Sequence, residues 1–147
     1  MEFQNTAIES ELEKYGVYAS NTKGVSMEPL FRTNRDMVVI SRPVGELRKY
    51  DVALYRSPAG KYILHRIVGV KDDVYLIRGD NTYTLERVPK HAVIGVLTEF
   101  NRKGRAGKCT DISYRIYSVV WTSIYPIRRF IRYIRHILGA IYRRLFK

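Results

Sequence analysis

The amino-acid sequence predicts a mainly β fold: a small, twisted, partly closed antiparallel sheet with a short amino-terminal helix and a basic amphipathic carboxy-terminal helix. Five short segments in the middle of the chain are rich in Val, Ile, Leu and Tyr, which favour strands. Turn sequences at residues 57–60 and 72–73 separate neighbouring segments, as in a β-meander. Near the end of the chain, apolar residues recur every three or four positions, which is the helical period.

Four regions follow from these patterns. Region 1–16 is predicted to hold a helix at 7–15, since Ile8, Leu12 and Tyr15 share a helical face before Gly16. Region 17–100 is predicted to be the β domain, and region 101–110, rich in glycine and cations, a basic linker. Region 111–147 is the predicted helical tail. The predicted strands are residues 36–41, 51–56, 61–70, 74–78 and 92–98.

The positive charge belongs to the tail. Residues 1–100 hold 14 Lys and Arg against 13 Asp and Glu, whereas residues 101–147 hold 12 against only Asp111. The tail is predicted to be one basic amphipathic helix, with Pro126 near its start. Its apolar stripe consists of Ile124, Ile127, Ile131, Ile134, Leu138, Ile141 and Leu145.

Arginines opposite an apolar stripe favour binding to an anionic membrane surface. A membrane protein is an alternative partner, and nucleic acid is a less favoured one. The positive charge favours the cytoplasmic leaflet, so we expect a cytoplasmic protein peripherally associated with the inner face of the membrane.

Composition excludes several classes of site. One cysteine, Cys109, permits neither an intrachain disulfide nor a zinc site of paired thiolates, and the sequence predicts no cofactor. The first 14 residues are too polar for a signal peptide, and no stretch reaches the roughly 18 apolar residues of a spanning helix. His91 and His136 are expected to have no chemical role.

Ser26 is the candidate nucleophile. It lies between Gly24 and Pro29, just before the first predicted strand, in a segment expected to turn sharply. Such a loop can expose the serine hydroxyl and present backbone N–H groups to an oxyanion. An ordinary Ser/Pro turn is the alternative.

His65 is the candidate base. On a strand it shares a face with Ile63 and Ile67, so it is expected to be partly desolvated. Desolvation disfavours the imidazolium and keeps the ring able to accept a proton near neutral pH. A structural histidine is the alternative.

Asp80 is the candidate acid of a Ser–His–Asp triad. It follows the fourth predicted strand in the segment Arg78-Gly79-Asp80-Asn81. A carboxylate there could orient the imidazole of His65 through its second nitrogen. An Asx turn is the alternative.

Together these segments resemble the clan of type I signal peptidases and LexA-like self-cleaving repressors. The Ser-Met box is matched by residues 24–30, and the Arg/Lys-Asp box is echoed at 35–36 and 50–52. The strand that carries the base is matched by residues 63–69, the Gly-Asp-Asn box by 79–81, and a final Ile-Gly-Val by 94–96.

The resemblance implies a serine endopeptidase that cleaves a peptide or protein precursor, such as a leader peptide. At the position where other branches of the clan have a lysine base, this chain has His65, and in this it resembles the endoplasmic-reticulum and archaeal signal peptidases. The resemblance therefore implies Ser26 as nucleophile and His65 as base. That branch usually has another aspartate after Gly-Asp-Asn, where this chain has only Glu86. Asp80 is therefore expected to be the third catalytic residue, and Glu86 is the second candidate for that role.

Two functions of other classes are the alternatives. The first is a LexA-like self-cleaving regulator whose basic tail binds nucleic acid. The second is a catalytically silent binding module, which the presence of Ser26, His65 and Asp80 disfavours.

Overall fold

A computed structural model describes residues 2–3 and 7–145, and within them the chain forms nine strands and three α-helices. The strands are β1 (Glu2–Phe3), β2 (Val17–Asn21), β3 (Met37–Ser41), β4 (Val52–Arg56), β5 (Tyr62–Lys71), β6 (Val74–Arg78), β7 (Glu86–Pro89), β8 (Val93–Arg102) and β9 (Arg105–Lys108). The helices are α1 (Ile8–Tyr15), α2 (Ile112–Ser123) and α3 (Tyr125–Leu145). The predicted regions 1–16 and 111–147 include positions 1, 4–6, 146 and 147, which lie outside the described residues.

The strands form one antiparallel sheet, so the mainly β prediction is confirmed. Its order is β2-β3-β8-β4-β5-β6-β7, with β1 beside β5 and β9 beside β8. Within the described part of the chain no pairing joins β2 to β7, so the sheet is open rather than partly closed. The middle strands β4 and β5 are the most buried, and β5 carries His65 and Arg66.

The prediction of a basic linker at residues 101–110 is wrong, because residues 101–108 continue the sheet. Strands β8 and β9 form a hairpin in which Arg102 pairs with Arg105. Lys103 and Gly104 between them both have positive φ, 54° and 78°. Two left-handed residues match the right-handed twist of a tight hairpin, and glycine adopts this conformation without strain. Strands β1, β2 and β7 were also not predicted.

Apolar side chains are buried on both faces of the sheet. Leu54 and Leu64 belong to one cluster, where they join residues of α1 and of the Ser26 loop. Ala53 and Tyr55, the neighbours of Leu54 along β4, belong to a second cluster. This alternation follows from the two-residue period of a strand. The sheet is thus anchored from both sides, which holds β5 in place.

The tail is two helices rather than one. Helix α2 ends at Ser123 with Ile124 as its C-cap, and Pro126 lies in the first turn of α3, where a missing N–H is tolerated. Helix α2 is part of the fold, since Tyr114 belongs to the first apolar cluster and Ser118 is 1% exposed. Within the described residues, none of the helices combines the length and apolar character that crossing a bilayer requires.

Candidate active site

Ser26 lies in the loop between β2 and β3. Met27 and Phe31, both fully buried, attach this loop to the apolar cluster. The hydroxyl of Thr22 donates to the carbonyl oxygen of Arg32 at 2.7 Å and so ties the start of the loop to its end. The side chain of Ser26, which directly precedes Met27, is therefore held on a well-anchored turn.

His65 lies in the middle of β5 and contacts Ser26. The distance from His65 Nε2 to Ser26 Oγ is 2.9 Å. The histidine is 7% exposed, and this burial lowers its pKa, while Glu86 opposes the shift. The neutral ring is therefore favoured, and its Nε2 can accept the serine proton.

Glu86, the first residue of β7, occupies the third position. Its Oε1 is 3.0 Å from Nδ1 of His65, and the hydroxyl of Tyr55 donates to its Oε2 at 2.7 Å. The hydrogen bond from His65 and the one from Tyr55 lower the pKa of Glu86. Burial raises the pKa of Tyr55, and Glu86 reinforces this, so the phenol stays a donor. An ionised Glu86 can thus orient the ring of His65.

The prediction that Asp80 orients His65 is wrong. Asp80 is 4% exposed and accepts two hydrogen bonds from Arg66, 2.7 Å from Nε and 2.8 Å from Nη2. Arg66 directly follows His65 on β5, so its side chain points to the opposite face of the strand. Asp80 therefore forms a buried ion pair behind the site rather than part of the hydrogen-bond chain.

The segment after β6 holds the serine loop in place. The N–H of Asn81 donates to the carbonyl oxygen of Ser26 at 2.8 Å, and its side-chain amide donates to that of Val25 at 3.2 Å. Gly79 packs so closely that a Cβ there would lie 2.7 Å from the Ser26 oxygen and 3.0 Å from His65 Nε2. Only glycine fits this position without a shift of its neighbours.

The tail helices also contact the Asp80 segment. Tyr117 donates to the Asp80 carboxylate at 3.1 Å, and the indole N–H of Trp121 donates to the Asp80 carbonyl at 2.9 Å. Arg128 of α3 donates to the same carbonyl oxygen. The segment that supports the serine loop is therefore supported in turn by both tail helices.

The sequence ranked Glu86 only second for the third position, behind Asp80, and it gave no role to Tyr55. The turn at residues 57–60 could have indicated Tyr55, because the turn sets the register between β4 and β5. In that register Ala53 pairs with His65, which makes Tyr55 a diagonal neighbour of the histidine. His91 and His136 are exposed and lie outside the site.

The arrangement can perform nucleophilic chemistry, since a hydroxyl, a neutral imidazole and a carboxylate form one hydrogen-bonded chain. Among the described residues, no group of three or more His, Cys, Asp or Glu side chains could hold a metal ion. No protein-family model and no curated protein matches this sequence.

Proposed function

We propose that this protein is a serine endopeptidase of the signal-peptidase type that cleaves a peptide or protein precursor. The observation that carries the proposal is the chain of contacts from Ser26 through His65 to Glu86, at 2.9 and 3.0 Å. These are hydrogen-bonding distances for a nucleophile, its base and an orienting acid. The ordered sequence boxes of the LexA-like and signal-peptidase clan and the antiparallel sheet support the same proposal.

In this mechanism Ser26 Oγ attacks the carbonyl carbon of the scissile bond while its proton passes to His65 Nε2. The developing oxyanion is stabilised by backbone N–H groups, with that of Ser26 as the expected donor. When the C–N bond breaks, His65 returns the proton to the leaving amine. Water then attacks the Ser26 ester as His65 takes its proton, the bond to Ser26 Oγ breaks, and His65 returns the proton to that oxygen while the acid product leaves. Glu86 stabilises the imidazolium in both halves.

The direct test is cleavage of a diverse peptide library by purified full-length protein, with products identified by mass spectrometry. Cleavage at internal peptide bonds is expected, and a parallel Ser26→Ala preparation is the matched control. If the same cuts appear in that preparation at the same rate, they come from a contaminant, and the proposal is overturned.

The rate of cleavage should follow the ionisation of His65. The base works in its neutral form, and burial holds the pKa of His65 below its ordinary value of 6.5. The rise of kcat/KM with pH is therefore expected to have its midpoint below 6.5. In Glu86→Gln the midpoint should fall further, because the carboxylate that favours the imidazolium is gone. A midpoint above about 8.5 would indicate a lysine-like base instead.

We also propose that α3 attaches the enzyme to the inner face of an anionic membrane. Its apolar residues Ile127, Ile131, Ile134, Leu138 and Ile141 are between 38% and 61% exposed. Arg129, Arg143 and Arg144 lie outside this stripe. Apolar burial and roughly 1 kcal/mol per cation near the surface would together favour the bound state.

A variant with Ile134→Ser, Leu138→Ser and Ile141→Ser is expected to lose at least about tenfold in affinity for vesicles containing phosphatidylserine. Cosedimentation at low salt measures this. The fold should be unaffected, because the three side chains are exposed. Unchanged sedimentation of the variant, or equal binding of the parent protein to neutral vesicles, would contradict the membrane proposal.

A further inference from the structure

A groove of about 460 Å³ lies beside the Ser26 loop. Its walls come from that loop, from the segment after β6 and from the tail helices. Glu28, Asn81, Tyr83, Trp121, Arg132 and Arg135 are among the residues that line it.

The groove is lined by close neighbours of the nucleophile. Glu28 is two residues after Ser26, so their Cα atoms are at most about 8 Å apart. Asn81, on the opposite wall, donates its N–H to the Ser26 carbonyl oxygen at 2.8 Å. An extended peptide advances about 3.3 Å per residue. A substrate whose scissile bond is at Ser26 would therefore enter the groove within about four residues.

The groove is positively charged. Arg128, Arg132 and Arg135 line it against the single carboxylate of Glu28. Within residues 2–3 and 7–145, none of these arginines forms an ion pair with a carboxylate. Arg128 donates to the carbonyl oxygens of Trp121 and Asp80, which are uncharged acceptors and leave its positive charge uncompensated. The nearby Asp80 is neutralised by Arg66.

Aromatic rings hold two of these guanidinium groups in place. Arg132 lies 4.3 Å from the ring centroid of Tyr83, and Arg128 lies 3.9 Å from that of Trp121. Stacking restricts the guanidinium while leaving its edge free to donate. A restricted guanidinium loses less freedom when it binds a carboxylate through two hydrogen bonds.

We infer that this groove selects peptide substrates that carry Asp or Glu within about four residues of the scissile bond. The inference rests on the proposed endopeptidase function and names its substrate class. Arginines also bind phosphates, but the groove adjoins the nucleophile, and its occupant must present a peptide bond to Ser26. A peptide is therefore favoured over a nucleic acid.

The first test compares a peptide from the library that carries one acidic residue in this window with its Gln or Asn counterpart. The parent enzyme is expected to cleave the acidic peptide about tenfold faster in kcat/KM, without vesicles and at low salt. The Arg132→Gln/Arg135→Gln variant should lose this preference, so that its kcat/KM falls about tenfold further on the acidic peptide than on the neutral one. Arg143→Gln/Arg144→Gln is the matched control, since it removes the same charge from α3 outside the groove. Equal losses on both peptides, or equal losses in both variants, would overturn the inference.

A second measurement separates this inference from the endopeptidase proposal. Fluorescence anisotropy with Ser26→Ala protein and a labelled ten-residue peptide carrying three Glu needs no cleavage. Binding about tenfold tighter than to the Gln counterpart, lost with Arg132→Gln/Arg135→Gln, would support the groove even if the library shows no Ser26-dependent cuts. An oligonucleotide of equal charge that binds more tightly than the acidic peptide would overturn it in favour of nucleic acid.

Discussion

The His65→Ala enzyme is expected to lose at least about three orders of magnitude in kcat/KM, and Ser26→Ala a similar factor. The substitution removes the base that lies 2.9 Å from the Ser26 hydroxyl, and the neutral hydroxyl is a weak nucleophile. Because the two residues act as one unit, the double variant should be little worse than either single variant. Glu86→Gln should lose at least about a hundredfold, since the ring loses its orienting carboxylate.

These losses are measured with the fastest library peptide and referred to the amount of folded protein. Circular dichroism and thermal unfolding of Ser26→Ala should match the parent, because Met27 and Phe31 anchor the loop independently of the serine hydroxyl. A Ser26→Ala enzyme that keeps more than a tenth of the parent rate would exclude the proposed mechanism.

The Asp80→Asn protein is expected to be destabilised by about 3–5 kcal/mol in free energy of unfolding. The substitution removes the charge that compensates Arg66, which is 1% exposed, while the guanidinium stays buried and ionised. Burial disfavours the charged form of Arg66, yet Asp80 holds its pKa above the ordinary value. Urea denaturation monitored at Trp121 measures the effect.

Glu99→Gln is the matched control, since it breaks the exposed ion pair with Lys108 at 3.4 Å by the same chemical change. It should alter stability little, because solvent screens such pairs. An Arg66→Met/Asp80→Leu double variant should recover part of the lost stability, because it leaves no buried charge uncompensated. If Asp80→Asn is no worse than Glu99→Gln, the buried pair does not support the fold as described.

The sequence located Ser26 and His65 because each lies in a recognisable local pattern, a turned serine loop and an apolar strand. For the third residue it ranked Asp80 above Glu86, and the structure reverses that order. Pairing of β5 with β6 shifts its register between Ile67 and Gly69, so counting along the chain does not give the face on which Asp80 lies. Glu86 begins a strand of only four residues that ends in proline, which is too short for alternation to reveal.

The tail shows a similar limit of pattern analysis. The apolar period runs on through Ile124, the C-cap of α2, so periodicity alone predicts one helix instead of two. The burial of Ser118 depends on its hydrogen bond from Arg66 at 2.7 Å, a contact between residues 52 positions apart. Removal of the residues after Lys108 is therefore expected to expose the core around Tyr114.

The close packing at Gly79 should make the proposed peptide cleavage sensitive to the addition of one methyl group. An alanine there would have to push apart the Ser26 carbonyl oxygen and the imidazole, which lie 2.7 and 3.0 Å from the position of its Cβ. The groove, the tail helices and most of the sheet would keep their shape. A protein altered only at this position would hold peptides without cutting them, so one small step separates a peptidase of this design from a peptide-binding protein.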